Sequence, residues 1–127
     1  MKPFSVPVAC RMLLLCICFS CSHFHHGNTS ITTSEANDVF RMTANFDANK
    51  TKEIQEYIDE CLDGHSNISF VNSRADASIT MDDKTSFYIR SKPGDLEIKL
   101  NKKENSAASY YKIKKMCEGI KSIIEEK

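Results

Sequence analysis

An α+β fold is predicted for this chain, βαβββα in order, with one mainly antiparallel four-stranded sheet and two helices on one face. Three observations carry the prediction. Four segments beyond residue 37 alternate apolar and polar residues with a period of two. Two others carry apolar stripes at helical spacing, and short turn sequences join the last three alternating segments. At 127 residues there is room for one domain and none for a separate cofactor domain.

Phe40, Met42, Ala44 and Phe46 alternate with Val39, Arg41, Thr43 and Asn45, which predicts a half-buried first strand. Asp47 and Asn49 offer helix caps. Ile54, Tyr57, Ile58, Cys61 and Leu62 then form one helical stripe, and Gly64 stands where a helix C-cap belongs. Extended structure resumes at Ile68–Val71. Ala75, Ala77, Ile79 and Met81 share one face, with Arg74, Asp76, Ser78 and Thr80 on the other. Asp82-Asp83-Lys84 marks a turn, Phe87 and Ile89 alternate with Tyr88 and Arg90, and Pro93-Gly94 makes a second turn. Leu96, Ile98 and Leu100 alternate with Glu97, Lys99 and Asn101.

These three strands predict an antiparallel meander with one dry and one wet face. A last helix begins near Ser106, with Tyr110, Ile113, Cys117, Ile120 and Ile124 as its stripe. Gly119 within it costs about 1 kcal/mol against Ala, which points to a close contact there. A right-handed crossover through the first helix would lay the first strand parallel to its neighbour.

Ahead of the domain (residues 38–127), residues 1–20 have the layout of a secretory signal peptide. Lys2 and Arg11 are the positive region, Met12 to Phe19 is apolar and too short to span a bilayer, and small residues follow. Phe19-Ser20-Cys21 resembles the lipobox of bacterial lipoproteins, with Cys18 where that family usually has Leu. The resemblance implies a diacylglyceryl group on the Cys21 thiol, cleavage before it, and a further acyl chain such as palmitate on the new amino terminus. The implied location is the bacterial cell membrane or outer membrane, facing the periplasm or the cell exterior. The alternative is cleavage after Ser22, with Ser20 and Ser22 as the small pair, which would release a soluble secreted effector or inhibitor.

Residues 21–37 lack periodicity and are rich in Ser, Thr, Asn and Gly, so a flexible tether is expected. His23, His25 and His26 lack the further ligands of a metal site, and no metal or cofactor is expected. Asn28, Asn49 and Asn67 begin glycosylation sequons, relevant only in a host that glycosylates exported proteins. Seventeen basic side chains balance 17 acidic ones. Loss of residues 1–20 removes Lys2 and Arg11 and no acid, leaving 15 against 17.

Of six cysteines, only Cys61 and Cys117 lie in the domain, each on a helical stripe. Adjacent helices would bring them into disulfide range; two buried free thiols are the alternative. No catalytic constellation is present. His65 is the only histidine beyond the amino-terminal segment, Asp82 and Asp83 are adjacent turn carboxylates, and no phosphate loop or metalloprotease helix occurs. A binding or structural role is expected rather than catalysis.

Lys99, Lys102, Lys103, Lys112, Lys114 and Lys115 cluster around the start of the last helix. With the order helix, three strands, helix, Lys102-Lys103 resembles the junction of a double-stranded RNA-binding domain, a family whose Gly-Pro-x-His loop has no counterpart in Asn72-Ser73-Arg74 or Asp82-Asp83-Lys84. An exported chain is not expected to meet nucleic acid. The expected contact surface is the wet sheet face, with Arg74, Asp76, Thr80, Tyr88, Arg90, Glu97 and Lys99 as candidates for an unknown protein partner.

Overall fold

The structure is a computed structural model and describes residues 29–62 and 69–126. The expectations for residues 1–20, Cys21 and the histidines of the amino-terminal segment, and those for Gly64 and His65, fall outside these residues. Seven main elements follow in order: β1 (Ser30–Ala36), β2 (Val39–Asn45), α1 (Thr51–Leu62), β3 (Ala75–Thr80), β4 (Ser86–Lys92), β5 (Asp95–Asn101) and α2 (Ala107–Glu125). The fold is α+β, with one antiparallel sheet in the order β1-β2-β5-β4-β3.

The sheet has five strands where the sequence predicts four. The added strand lies in the segment read as tether, because β1 buries almost nothing: only Ile31 is half-buried and the remaining six residues are exposed. A strand without a dry face shows no alternation. Its signal is the hairpin instead. Asn37 and Asp38 have φ of 54° and 67°, the left-handed pair that a two-residue hairpin turn requires and that these residue types tolerate. Ala36 then pairs with Val39, and the ladder runs to Ser30 opposite Asn45.

The expected parallel placement of the first strand is also corrected. β2 pairs antiparallel with β5, Met42 facing Ile98. The cause is the segment after α1. Asp59 accepts the Phe70 amide at 2.8 Å, and the Gln55 side-chain oxygen accepts the Asn72 amide at 3.0 Å. Residues 70–74 therefore run back along α1 and deliver β3 to the end where α1 began. Of the stretch expected to be extended, Ile68 falls outside the described residues and Ser69 to Val71 are not in a strand; β3 begins at Ala75, and Arg74 sits in the preceding loop.

Both helices cover the same face. Register puts Phe40, Met42 and Ala44 opposite Leu100, Ile98 and Leu96, and Ile89 opposite Ile98 and Ala77. All of these but Ala77, which is exposed on the edge strand, join Ile54, Ile58, Ile113, Ile120 and Ile124 in one apolar cluster. The helices run antiparallel: the Lys50 ammonium, just before α1, donates to the carbonyls of Ile123 (2.8 Å), Ile124 (3.3 Å) and Glu126 at the end of α2. That cation satisfies carbonyls that a helix leaves unpaired at its C-terminus. Ser106 caps α2, its hydroxyl accepting the Ser109 amide at 3.0 Å.

Candidate partner-binding face

The face of the sheet away from the helices has no covering element among the described residues. Cross-strand register sets its side chains in rows. One row runs Thr32, Thr43, Glu97, Arg90 and Asp76; the next runs Ser34, Arg41, Lys99, Tyr88 and Ser78. Five of the sequence-predicted candidates, Asp76, Tyr88, Arg90, Glu97 and Lys99, are brought together there. Thr80 stands at the rim, with its hydroxyl 3.4 Å from that of Ser86, and Arg74 is not on this face.

Glu97 occupies the centre. It is only 6% exposed although no element covers it, because Arg41 and Arg90 close over it. Arg41 Nε donates to Glu97 Oε2 at 2.9 Å, and an Arg90 terminal nitrogen donates to Oε1 at 2.7 Å. The other Arg90 terminal nitrogen reaches both oxygens of Asp95 at 3.2–3.3 Å, with Lys92 at 3.7 Å from the same carboxylate. Tyr88 donates its hydroxyl to Asp76 at 2.8 Å, and the Lys99 ammonium lies 4.8 Å from the centre of the Tyr88 ring. The bond to Asp76 holds the Tyr88 phenol above its usual pKa. Sequence alternation places all these residues on the wet side. It does not reveal that Arg41 and Asp95 belong to the same array, because the ion pairs cross three strands.

Half of the basic cluster is paired with acids within the domain. Lys102 pairs with Glu35 at 3.1 Å, Lys103 with Asp38 at 3.5 Å and Lys112 with Asp83 at 2.6 Å. Lys102 and Lys114 also flank the Tyr110 ring. Tyr110 and then Lys102 hydrogen-bond Glu35 and hold its carboxyl below the usual range. Two of the three acids, Glu35 and Asp38, come from β1 and its hairpin turn, the part of the fold that alternation does not disclose.

Asp82 and Asp83 do not act as a pair. Asp83 accepts from Lys112 and from the Thr85 amide, which lower its pKa in that order, while Asp82 is exposed in the turn. Cys61 and Cys117 are free thiols. Burial pushes Cys117 up to about 12 and raises Cys61 as well, so neither is a nucleophile near neutral pH. The close contact expected at Gly119 is with Tyr57 of α1: a Cβ there would lie 1.8 Å from the Tyr57 hydroxyl. A chain of hydroxyls, Ser106 to Ser109 at 3.1 Å and Thr85 to Ser109 at 2.7 Å, serves the helix cap, with the Asp83 carboxylate beside Thr85 at its far end. Among the described residues no cluster of three metal-binding side chains occurs, and no helix is long and apolar enough to cross a membrane.

Compared with known proteins, the chain matches no family model, no curated sequence and no solved structure.

Proposed function

We propose that this protein is an exported lipoprotein of a bacterial cell envelope, anchored through acyl chains on Cys21, whose domain holds a protein partner on the open face of its sheet. The observation that supports a binding role is the array around Glu97. Glu97 holds Arg41 and Arg90, and Asp95 holds Arg90 and Lys92, so a partner meets side chains whose rotamers are already restricted, and less entropy is lost on contact. The face is mixed in sign, which favours a partner with a patterned polar surface over a uniformly charged polymer. A structural role in the envelope uses the same face in the same way.

Two measurements test the proposal. Mass spectrometry of the amino-terminal peptide from protein purified out of membranes is expected to show a diacylglyceryl-modified Cys21; an unmodified His23 start would instead give the soluble secreted effector or inhibitor. Cross-linking in intact envelopes, with the anchor retained, is expected to yield a discrete adduct that Tyr88→Ala and Lys99→Glu remove. An adduct that survives both changes and is lost on changing exposed helix positions such as Lys115 would move the binding surface to the helices.

A further inference from the structure

A cleft of about 510 Å³ lies at the end of the domain where β1 begins. Its walls include Asn49, Lys52 and Gln55 from α1 and the turn before it, and Asn72, Ser73 and Arg74 from the segment returning along that helix. Gln55 is 3% exposed and fixes the shape. Its amide nitrogen donates to the Ser73 carbonyl at 3.0 Å and lies 3.3 Å from the Ser91 hydroxyl, while its oxygen accepts the Asn72 amide.

Half of the described cations are occupied: Arg41, Arg90, Lys92, Lys102, Lys103 and Lys112 in ion pairs, Lys50 on the α2 carbonyls. Lys84, Lys99, Lys114, Lys115 and Lys121 have no acidic partner among the described residues and do not line this cleft. Lys52 and Arg74 have no acidic partner among the described residues, and both line the cleft. Among the described residues no acid lines the cleft; nearby, Asp47 accepts the Asn49 amide and Asp95 serves Arg90 and Lys92. A guanidinium and an ammonium beside amide and hydroxyl groups suit a phosphate, whose several oxygens take both cations at once.

Position says where the phosphate comes from. Ser30 stands opposite Asn45, in the row that continues through Asp95 to Lys92, one residue from the Pro93 that lines the cleft. Eight residues separate Cys21 from Ser30, so an acylated Cys21 holds this end within about 30 Å of the bilayer surface.

We propose that the Lys52–Arg74 cleft binds the phosphate of an anionic lipid headgroup and so orients the domain on its own membrane. This rests on the lipoprotein proposal for its source of phosphate, while the site's chemistry stands apart from it. The test is hydrogen exchange on the full acylated chain in vesicles of phosphatidylcholine alone or with phosphatidylglycerol, following amides 49–55 and 72–76. Slower exchange in the anionic vesicles is expected, with loss of that protection in Lys52→Glu/Arg74→Glu and its retention in Lys115→Glu.

Millimolar inorganic phosphate added to the phosphatidylcholine sample separates the sources. Equal protection there would overturn the lipid assignment in favour of a free phosphate. No protection in any sample would overturn the site. The anchor is judged separately by the mass of the amino-terminal peptide. An unmodified chain whose cleft is still protected by anionic vesicles would sink the anchor and leave the site standing.

Discussion

At the scale of single residues, Gly119 and Glu97 show how much one side chain decides. Ala is about 1 kcal/mol better than Gly inside a helix. At position 119, however, the added carbon meets the Tyr57 ring edge, with atoms at 1.8, 2.3 and 2.9 Å. Gly119→Ala is therefore expected to destabilise the domain by about 1–3 kcal/mol in urea titration, as overpacking does. In a Tyr57→Leu background the loss should shrink or reverse, since the clash is with that ring. Glu97 is held by two arginines and shielded from water, whereas Lys103 and Asp38 form a pair with both partners exposed. Glu97→Ala should cost about 2 kcal/mol, because both arginines are left without their central partner. Lys103→Ala should cost under about 0.5 kcal/mol. Equal losses in the two variants would mean that the Glu97 array contributes no more than an ordinary surface pair.

Between elements, side-chain ties decide which parts move together. Lys112 on α2 holds Asp83 in the turn between β3 and β4, and the folded carboxyl is depressed by that bond and by the Thr85 amide. A depressed carboxylate contributes stability that is present above its unfolded pKa, about 3.9, and lost as pH falls through the folded value. Wild type should therefore exceed Asp83→Asn in stability at pH 6. The gap should close as acid denaturation is followed below pH 4, and a constant gap across that range would refute the tie.

β1 contributes little burial but covers the edge of β2. Removing residues 30–36 should lower stability by about 2 kcal/mol, chiefly from Ile31, and expose an unpaired strand edge to self-association, measurable by sedimentation. The same element marks the limit of what alternation can reveal. Strands with one dry face, β2, β4 and β5, and both helices are legible because burial imprints a period on them. β1 has no dry face, and only Asn37-Asp38 signals it. The direction of β3 depends on Asp59 and Gln55 capturing the returning backbone, a contact with no periodic trace. On the open face, the sequence places the members and leaves out their pairing, since register across β2, β5 and β4 sets which charges meet.

Across the whole molecule, the two domain thiols report separate levels of opening. Cys117 is buried under the helix pair and its thiol is pushed up to about 12, while Cys61 is half-buried at the last turn of α1. Cys117, on the buried side of α2, is exposed only when α2 leaves the sheet, and α2 is tied to α1 by Lys50, to the β3–β4 turn by Asp83 and to β1 by Glu35. Alkylation of the reduced protein at pH 8 should therefore label Cys61 by local opening, at a rate that mild urea hardly changes. Cys117 should be labelled only through global unfolding, its rate rising with urea along the same slope as the unfolding constant. If Cys117 labels as readily as Cys61, the helix layer opens as a separate unit and the single cooperative core is wrong. If the protein isolated without reductant labels at neither site until reduced, the thiols are joined. The helices then carry a covalent link beyond the contacts that hold the reduced form.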